Sequence, residues 1–342
     1  MNLLNHDNIW QASNLPDGLS FENGVISGNP KSRGVFDVHI TVSNQLGSSS
    51  KNIRIKCRYR ADVTIVKDGA EFEIITLPEL QAAIQNGTAQ SKYNCIDTQM
   101  LIPVIHPITS AITYDVPVNF CSFRNVTLAD GAVKPGLILQ FSHTLWKGLA
   151  PFGTNNFNRW RYSQLRKWLN SSGMGWFSSS YNDDIITPHE GSYSESICNG
   201  FLSCLPTPLL EVISPVKVVT QAFFDDENED TSIDDPEYVN GIDCDITYDK
   251  IFIPALSEMN IDGSDDTFPD DGFEGDAWEF YSALSSGSLI CKDFNGSPCS
   301  VITRSAVVNG KDKIFCVDNT LQPIVSNVYN AEASPAPTFV IC

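Results

Sequence analysis

The feature that most constrains this chain is the shortness of its apolar segments. Between residues 93 and 141 they fall at 100–105, 116–123 and 136–141, each of strand length and each bounded by Pro, Gly or Asp. Segments this short, broken this regularly, specify strands joined by turns rather than long helices. Nearer the N-terminus the pattern sharpens. Phe36, Val38, Ile40 and Val42 alternate with Val35, Asp37, His39 and Thr41, and Ile53 and Ile55 stand among polar neighbours. A period of two is what a strand with one covered face requires. Asn23-Gly24 and Gly28-Asn29-Pro30 are turn signals. Further strands are expected at 216–222, 250–256, 300–303, 313–317, 324–328 and 338–341. A short helix is expected at 77–84, with Pro78 in its first turn and Gly87 past its end. The class is mainly β with short helices.

One stretch suggests something else. Residues 158–177 read NRWRYSQLRKWLNSSGMGWF and interleave Arg159, Arg161, Arg166 and Lys167 with Trp160, Tyr162, Trp168, Trp176 and Phe177. Basic residues among aromatics are the composition of a nucleic-acid surface. The spacing favours a structural role. Ser163 is a good N-cap, and Leu165, Trp168 and Leu169 fall at i, i+3 and i+4, one apolar stripe of a short helix. Arg166 and Lys167 lie off that stripe. Arg166 is expected to lie on an aromatic face or to pair with Glu258 or Glu274.

Charge is placed unevenly. The net charge is −19, and residues 225–279 hold 20 acidic residues against one basic, Lys250. The rest of the chain carries 21 of each sign. Nucleic acid and anionic membrane are poor partners for such a region. No apolar run approaches about 18 residues, so no transmembrane helix and no membrane insertion is expected. The start, MNLLNHDNIW, has neither a basic n-region nor an apolar h-region, so the chain is expected to be made in a cytoplasm or to be a piece of something longer. Ten scattered cysteines without a CxxC are expected as buried free thiols, and the five histidines show no zinc-ligand spacing.

Two segments carry family resemblances. Leu15-Pro16-Asp17-Gly18-Leu19-Ser20, then Gly24-Val25-Ile26-Ser27-Gly28-Asn29-Pro30, Gly34, and Thr41-Val42-Ser43-Asn44-Gln45-Leu46-Gly47 resemble the immunoglobulin-like (cadherin-like) domain of bacterial and phage surface proteins. That family has further strands before the first motif, so residues 1–57 resemble an incomplete sandwich, with 58–75 a linker or strand. Residues 76–342 resemble an uncharacterised bacterial and phage domain, related to C-type-lectin-like folds and to the formylglycine-generating-enzyme superfamily. The motifs are Tyr162-Ser163-Gln164-Leu165-Arg166-Lys167-Trp168-Leu169-Asn170, Gly200-Phe201-Leu202, the segment from Asp249 to Glu258, Glu274-Gly275, Trp278 with Tyr281, and Thr303-Arg304-Ser305. The resemblance implies a partial Ig-like β-sandwich followed by a C-type-lectin-like α+β domain, with acidic insertions at 225–237 and 262–271. Tyr162, Arg166, Trp168, Leu169, Asn170, Glu258, Glu274, Trp278 and Arg304 are its structural signature, and it brings no catalytic residue.

Asp262, Asp265, Asp266, Asp270 and Asp271 lie within ten positions and are a weak Ca²⁺ candidate, although their spacing is not that of an EF-hand loop. A solvated loop is the competing reading, and no other cofactor is expected. GxSxG, HExxH, a Walker loop and GxGxxG are all missing from the sequence, so no enzyme is expected. The expected function is a bacteriophage virion protein (capsid decoration, head fibre or tail-associated) assembled in a bacterial cytoplasm. It would be a homo-oligomer among other virion subunits, presenting the lectin-like domain to a glycan or protein ligand on a host or mucosal surface. An extracellular bacterial cell-surface adhesin is the alternative, and an enzyme of the formylglycine-generating superfamily the third reading.

Overall fold

The computed structural model describes residues 8–32, 34–57, 62–105, 113–143, 158–172, 200–222, 236–263, 267–270, 272–284, 291–292, 297–308, 310, 312–328 and 333–342. The chain is mainly β. Its strands are β1 (Ile9–Ser13), β2 (Leu19–Glu22), β3 (Val25–Gly28), β4 (Gly34–Asn44), β5 (Gly47–Cys57), β6 (Asp62–Lys67), β7 (Ala70–Thr76), β8 (Thr98–Ile105), β9 (Thr113–Thr127) and β10 (Val133–Phe141). They continue with β11 (Val216–Gln221), β12 (Glu237–Val239), β13 (Ile242–Asp249), β14 (Ile251–Phe252), β15 (Val301–Ala306), β16 (Lys313–Val317), β17 (Pro323–Asn327), β18 (Ser334–Pro335) and β19 (Thr338–Ile341). The helices are short: α1 (Leu77–Gln85), α2 (Thr88–Lys92), α3 (Gln164–Leu169), α4 (Thr207–Val212) and α5 (Glu279–Ala283).

The N-terminal unit is a three-stranded sheet, β1-β4-β5, beside the β2-β3 hairpin. Asn23-Gly24 makes the hairpin turn with φ of +50° and +83°, values that glycine and asparagine reach most easily. Phe36, Val38, Ile40 and Val42 share the inner face of β4, as their alternation requires. The cover is thin. Besides Pro16, only Val38 and Cys57 are fully buried among the described residues of this unit. β1 pairs with β4 only from His39 to Ser43, so among the described residues the first half of β4 has no strand on that side.

The second unit begins earlier than its motifs imply. Its main sheet has seven strands in the order β14-β19-β10-β9-β8-β6-β7. Residues 62–75, expected as linker or strand, therefore belong to this sheet as β6 and most of its edge strand β7, so the unit begins at 62. The reason is burial: Val63 and Ile65 join the core of this sheet, both almost fully covered. Thr76 then caps α1 in a capping box with Glu79, which turns the chain back over the sheet, with Leu77, Leu80 and Ile84 facing in. The pairing of β9 with β10 shifts register at Ile138/Leu139, so Cys121 is an extra residue on β9. Phe120 and Cys121 are both wholly buried there, which simple alternation does not foresee.

Strands β16 and β19 have the bounds their apolar runs predict. The apolar run at 250–256 does not extend as a strand. Only Ile251 and Phe252 pair, with Phe339 and Thr338, because Pro254 has no N–H to give and the flanking backbone groups are taken by side chains. Two smaller sheets, β11-β13-β12 and β17-β16-β15-β18, pack beside the main sheet, and β15 pairs with β18 in parallel. Among the described residues no helix is long and apolar enough to cross a membrane.

Candidate functional site

The basic-aromatic stretch is a tie point inside the second unit. Ser163 caps α3 by accepting from the Arg166 N–H at 3.1 Å, and Leu165, Trp168 and Leu169 are buried on one stripe. Trp168 packs against Phe201, with ring centroids 5.5 Å apart. The approach there is close: a Cβ at Gly200 would stand 2.1 Å from the Ser171 carbonyl oxygen, so only glycine fits.

The charges of this stretch meet the acidic window. Strand β13 puts Asp245, Thr247 and Asp249 on one face, two residues apart, and all three are buried. Arg159, 3% exposed, holds Asp245 through two bonds, Nε to Oδ2 at 2.9 Å and a terminal nitrogen to Oδ1 at 2.5 Å. Asp249 accepts from Trp160 Nε1 at 2.9 Å, from Arg166 Nε at 2.8 Å and from Thr247 Oγ1 at 2.8 Å. Tyr162 lies under the Arg159 guanidinium, 5.0 Å from its ring centroid. Asn170 closes the junction: its oxygen accepts from the N–H groups of Lys250 and Ile251, and its amide donates to Arg166 and Ile251 carbonyls.

The partner expected for Arg166 is thus corrected. Arg166 binds Asp249, and Glu258 and Glu274 gather around Arg304. One Arg304 terminal nitrogen donates to Glu258 Oε2 and to the Ile253 carbonyl, both at 2.6 Å, and the other donates to the Glu274 carbonyl at 2.9 Å. Glu258 also accepts the Ala255 N–H at 2.9 Å, and its backbone carbonyl accepts the Trp278 N–H at 2.9 Å. The Glu274 carboxyl accepts the Gln221 N–H at 3.0 Å and meets the Ser305 hydroxyl. The guanidinium lies 5.7 Å from the Phe252 ring centroid, and Trp278 packs edge-on against the same ring. The nine signature positions therefore serve two buried clusters and the core around them; Lys167 is exposed, and the half-buried Arg161 lies 5.8 Å from the Tyr162 ring centroid.

Burial dominates the electrostatics of the second cluster. It pushes the Glu274 carboxyl above the usual carboxylate range, against the pull of Arg304 and Ser305. Burial opposes charge on Arg304, but Glu258 and then Glu274 outweigh it and hold the guanidinium protonated. A raised acid stabilises the fold while it stays protonated and loses that contribution as pH rises through its folded value. We expect Glu274→Gln, whose amide can accept from Gln221 and donate to Ser305, to melt like the parent at about pH 4, below the usual glutamate value of about 4.3. It should melt higher than the parent at pH 8. Thermal unfolding at both pH values checks this; a uniform loss at both would show that the carboxylate is needed.

The proposed calcium residues are placed as follows. Asp262 and Asp270 border one small pocket with Glu274. Asp270 is tied to Gln221, whose amide nitrogen donates to the carboxylate at 2.7 Å and whose oxygen accepts the Asp270 N–H at 2.7 Å. Asp265, Asp266 and Asp271 lie outside the described residues, as does the acidic tract up to residue 235. Among the described residues no three His, Cys, Asp or Glu side chains gather as a metal site. The nine cysteines of the described residues are free, and all but Cys299 are buried. Burial pushes the Cys121 thiol well above its usual range. Sequence reasoning singled out Arg159 and Asp249 without their partners and missed Asp245; the alternation of 245, 247 and 249 within the acidic window was the available signal.

A cleft of about 450 Å³ opens elsewhere on the main sheet, where Gln99, Asn119, Ser142, His143 and Lys292 come together. It was not foreseen, because its walls come from segments far apart in the chain.

The fold defines the N-terminal unit as a small β module on a larger β scaffold. Residues 8–57 match the family model He_PIG, described as "Putative Ig domain". The chain carries an immunoglobulin-like unit there, as its turn motifs implied. No curated protein and no solved structure matches the chain.

Proposed function

We propose that the chain is a non-enzymatic structural protein of a bacteriophage virion, a capsid decoration, head fibre or tail-associated subunit that displays its second unit for adhesion. The observation that carries this reading is the combination of an Ig-like unit with a thinly covered core and a scaffold whose buried charges are tied to one another. A unit of this size with so few buried side chains is marginal on its own. Among the described residues Gly34–Val38 of β4 pairs with β5 alone, and its other side offers backbone groups to a strand from a neighbouring virion subunit. A cleft of about 490 Å³ lies beside it, lined by Val35 and Asp37 together with Glu71 and Phe72 of the free edge strand β7. In this reading the N-terminal unit docks and the second unit, a C-type-lectin-like domain distantly related to the formylglycine-generating superfamily, faces outward. Loops on a rigid scaffold are where such domains bind.

Gold-labelled antibody raised against the chain tests this on lysates of the encoding host. Labelling of phage particles is expected. Labelling of cell envelopes would move the reading to a bacterial adhesin, and label confined to soluble protein would overturn display altogether.

A further inference from the structure

The main sheet contains a row of amides that packing does not explain. Gln99 on β8, Asn119 on β9 and Gln140 on β10 stand in register across three neighbouring strands. Gln99 donates to the Asn119 oxygen at 2.7 Å, and Tyr281 donates to the Gln140 oxygen at 2.5 Å. Gln140 is 1% exposed, and its amide nitrogen has no partner among the described residues. Asn119 and Gln140 are buried and Gln99 is half-buried, and burying amides is costly, so such a row is not what stability alone selects. The row runs out into the cleft of about 450 Å³, which Gln99 and Asn119 line. This volume falls in the range of small-molecule sites, roughly 300–1,000 Å³.

We infer that this cleft is a binding site for a neutral sugar residue, the end of a surface glycan. Paired amides present donors and acceptors side by side, which is what adjacent hydroxyls on a sugar ring need. Ile96, 66% exposed, and Leu284 supply apolar surface for the C–H face of the ring. Charge in the cleft is mixed: Asp68 and Asp97 stand with Lys292 and His143, a balance that disfavours a phosphorylated or strongly anionic ligand. The inference deepens the adhesive part of the proposed function. Its failure would leave display on a particle untouched, because labelling tests that separately.

Saturation-transfer NMR on the full chain, with the methyl glycosides of mannose, galactose and N-acetylglucosamine at millimolar concentration, tests the site. Transfer to at least one glycoside is expected. It should fall about ten-fold in Gln99→Ala, which removes one amide, and vanish in Leu284→Trp, which fills the cleft. Because Leu284 is far from the amide row in sequence and only partly buried, the second variant keeps the test valid if the first fails to fold. No transfer to any of the three, transfer unchanged in a folded Leu284→Trp variant, or displacement by inorganic phosphate would overturn the site.

Discussion

Replacing Arg304 with methionine is expected to lower the unfolding free energy by about 3–5 kcal/mol, the range for removing one partner of a buried ion pair. Against a total stability of about 5–15 kcal/mol this is a large fraction. Three acceptors lose the guanidinium at once: the Ile253 and Glu274 carbonyls and the Glu258 carboxylate, which among the described residues keeps only the Ala255 N–H. Arg304 is 1% exposed, so water cannot take its place without the site opening. Lysine should not rescue, because a single ammonium cannot reach the two directions that the guanidinium fork spans. Urea unfolding of the two variants checks both statements. A methionine variant within about 1 kcal/mol of the parent would show that the cluster is not what holds Ile253, Glu258 and Glu274 to β15.

The second large effect is expected at Asp249. Its carboxylate serves Trp160, Arg166 and Thr247, so Asp249→Ala leaves an indole N–H, a hydroxyl and a guanidinium without their acceptor. The expected cost is again about 3–5 kcal/mol. Asp249→Asn keeps an oxygen and should cost less, about 1–3 kcal/mol, since charge is lost but part of the bonding remains. The indole of Trp160, which is fully buried, is a reporter: its fluorescence should shift to longer wavelength in Asp249→Ala before the main unfolding transition. If Asp249→Asn were as damaging as Asp249→Ala, geometry rather than the number of bonds would be deciding.

These clusters show how far local pattern reaches. Helix α3 was readable because a stripe at 165, 168 and 169 and a serine cap are properties of neighbouring residues. Strands β16 and β19 were readable for the same reason: each is an uninterrupted apolar run between turn signals. The partner of Arg166 was not readable. Asp249, Glu258 and Glu274 are all acidic residues of one window, and only the register of β13 against the 158–170 segment decides among them. The charge count of the acidic window does not say which way a side chain points. Asp245 and Asp249 point inward and neutralise the very arginines that made residues 158–177 resemble a nucleic-acid surface. The early start of the second unit was missed because β6 and β7 precede its motifs. The bulge at Cys121 and the amide-lined cleft depend on pairing between distant strands. The Ig-like unit, in contrast, was legible from its turns, since each of its motifs is a short local feature.

The central claim is that the N-terminal unit docks and the second unit is displayed, and electron microscopy of the native assembly tests it most directly. The account predicts density for a neighbour's strand along the Gly34–Val38 edge of β4, with the seven-stranded sheet and its cleft facing solvent. An N-terminal unit standing free in solvent, with the seven-stranded unit buried against the shell, would contradict it.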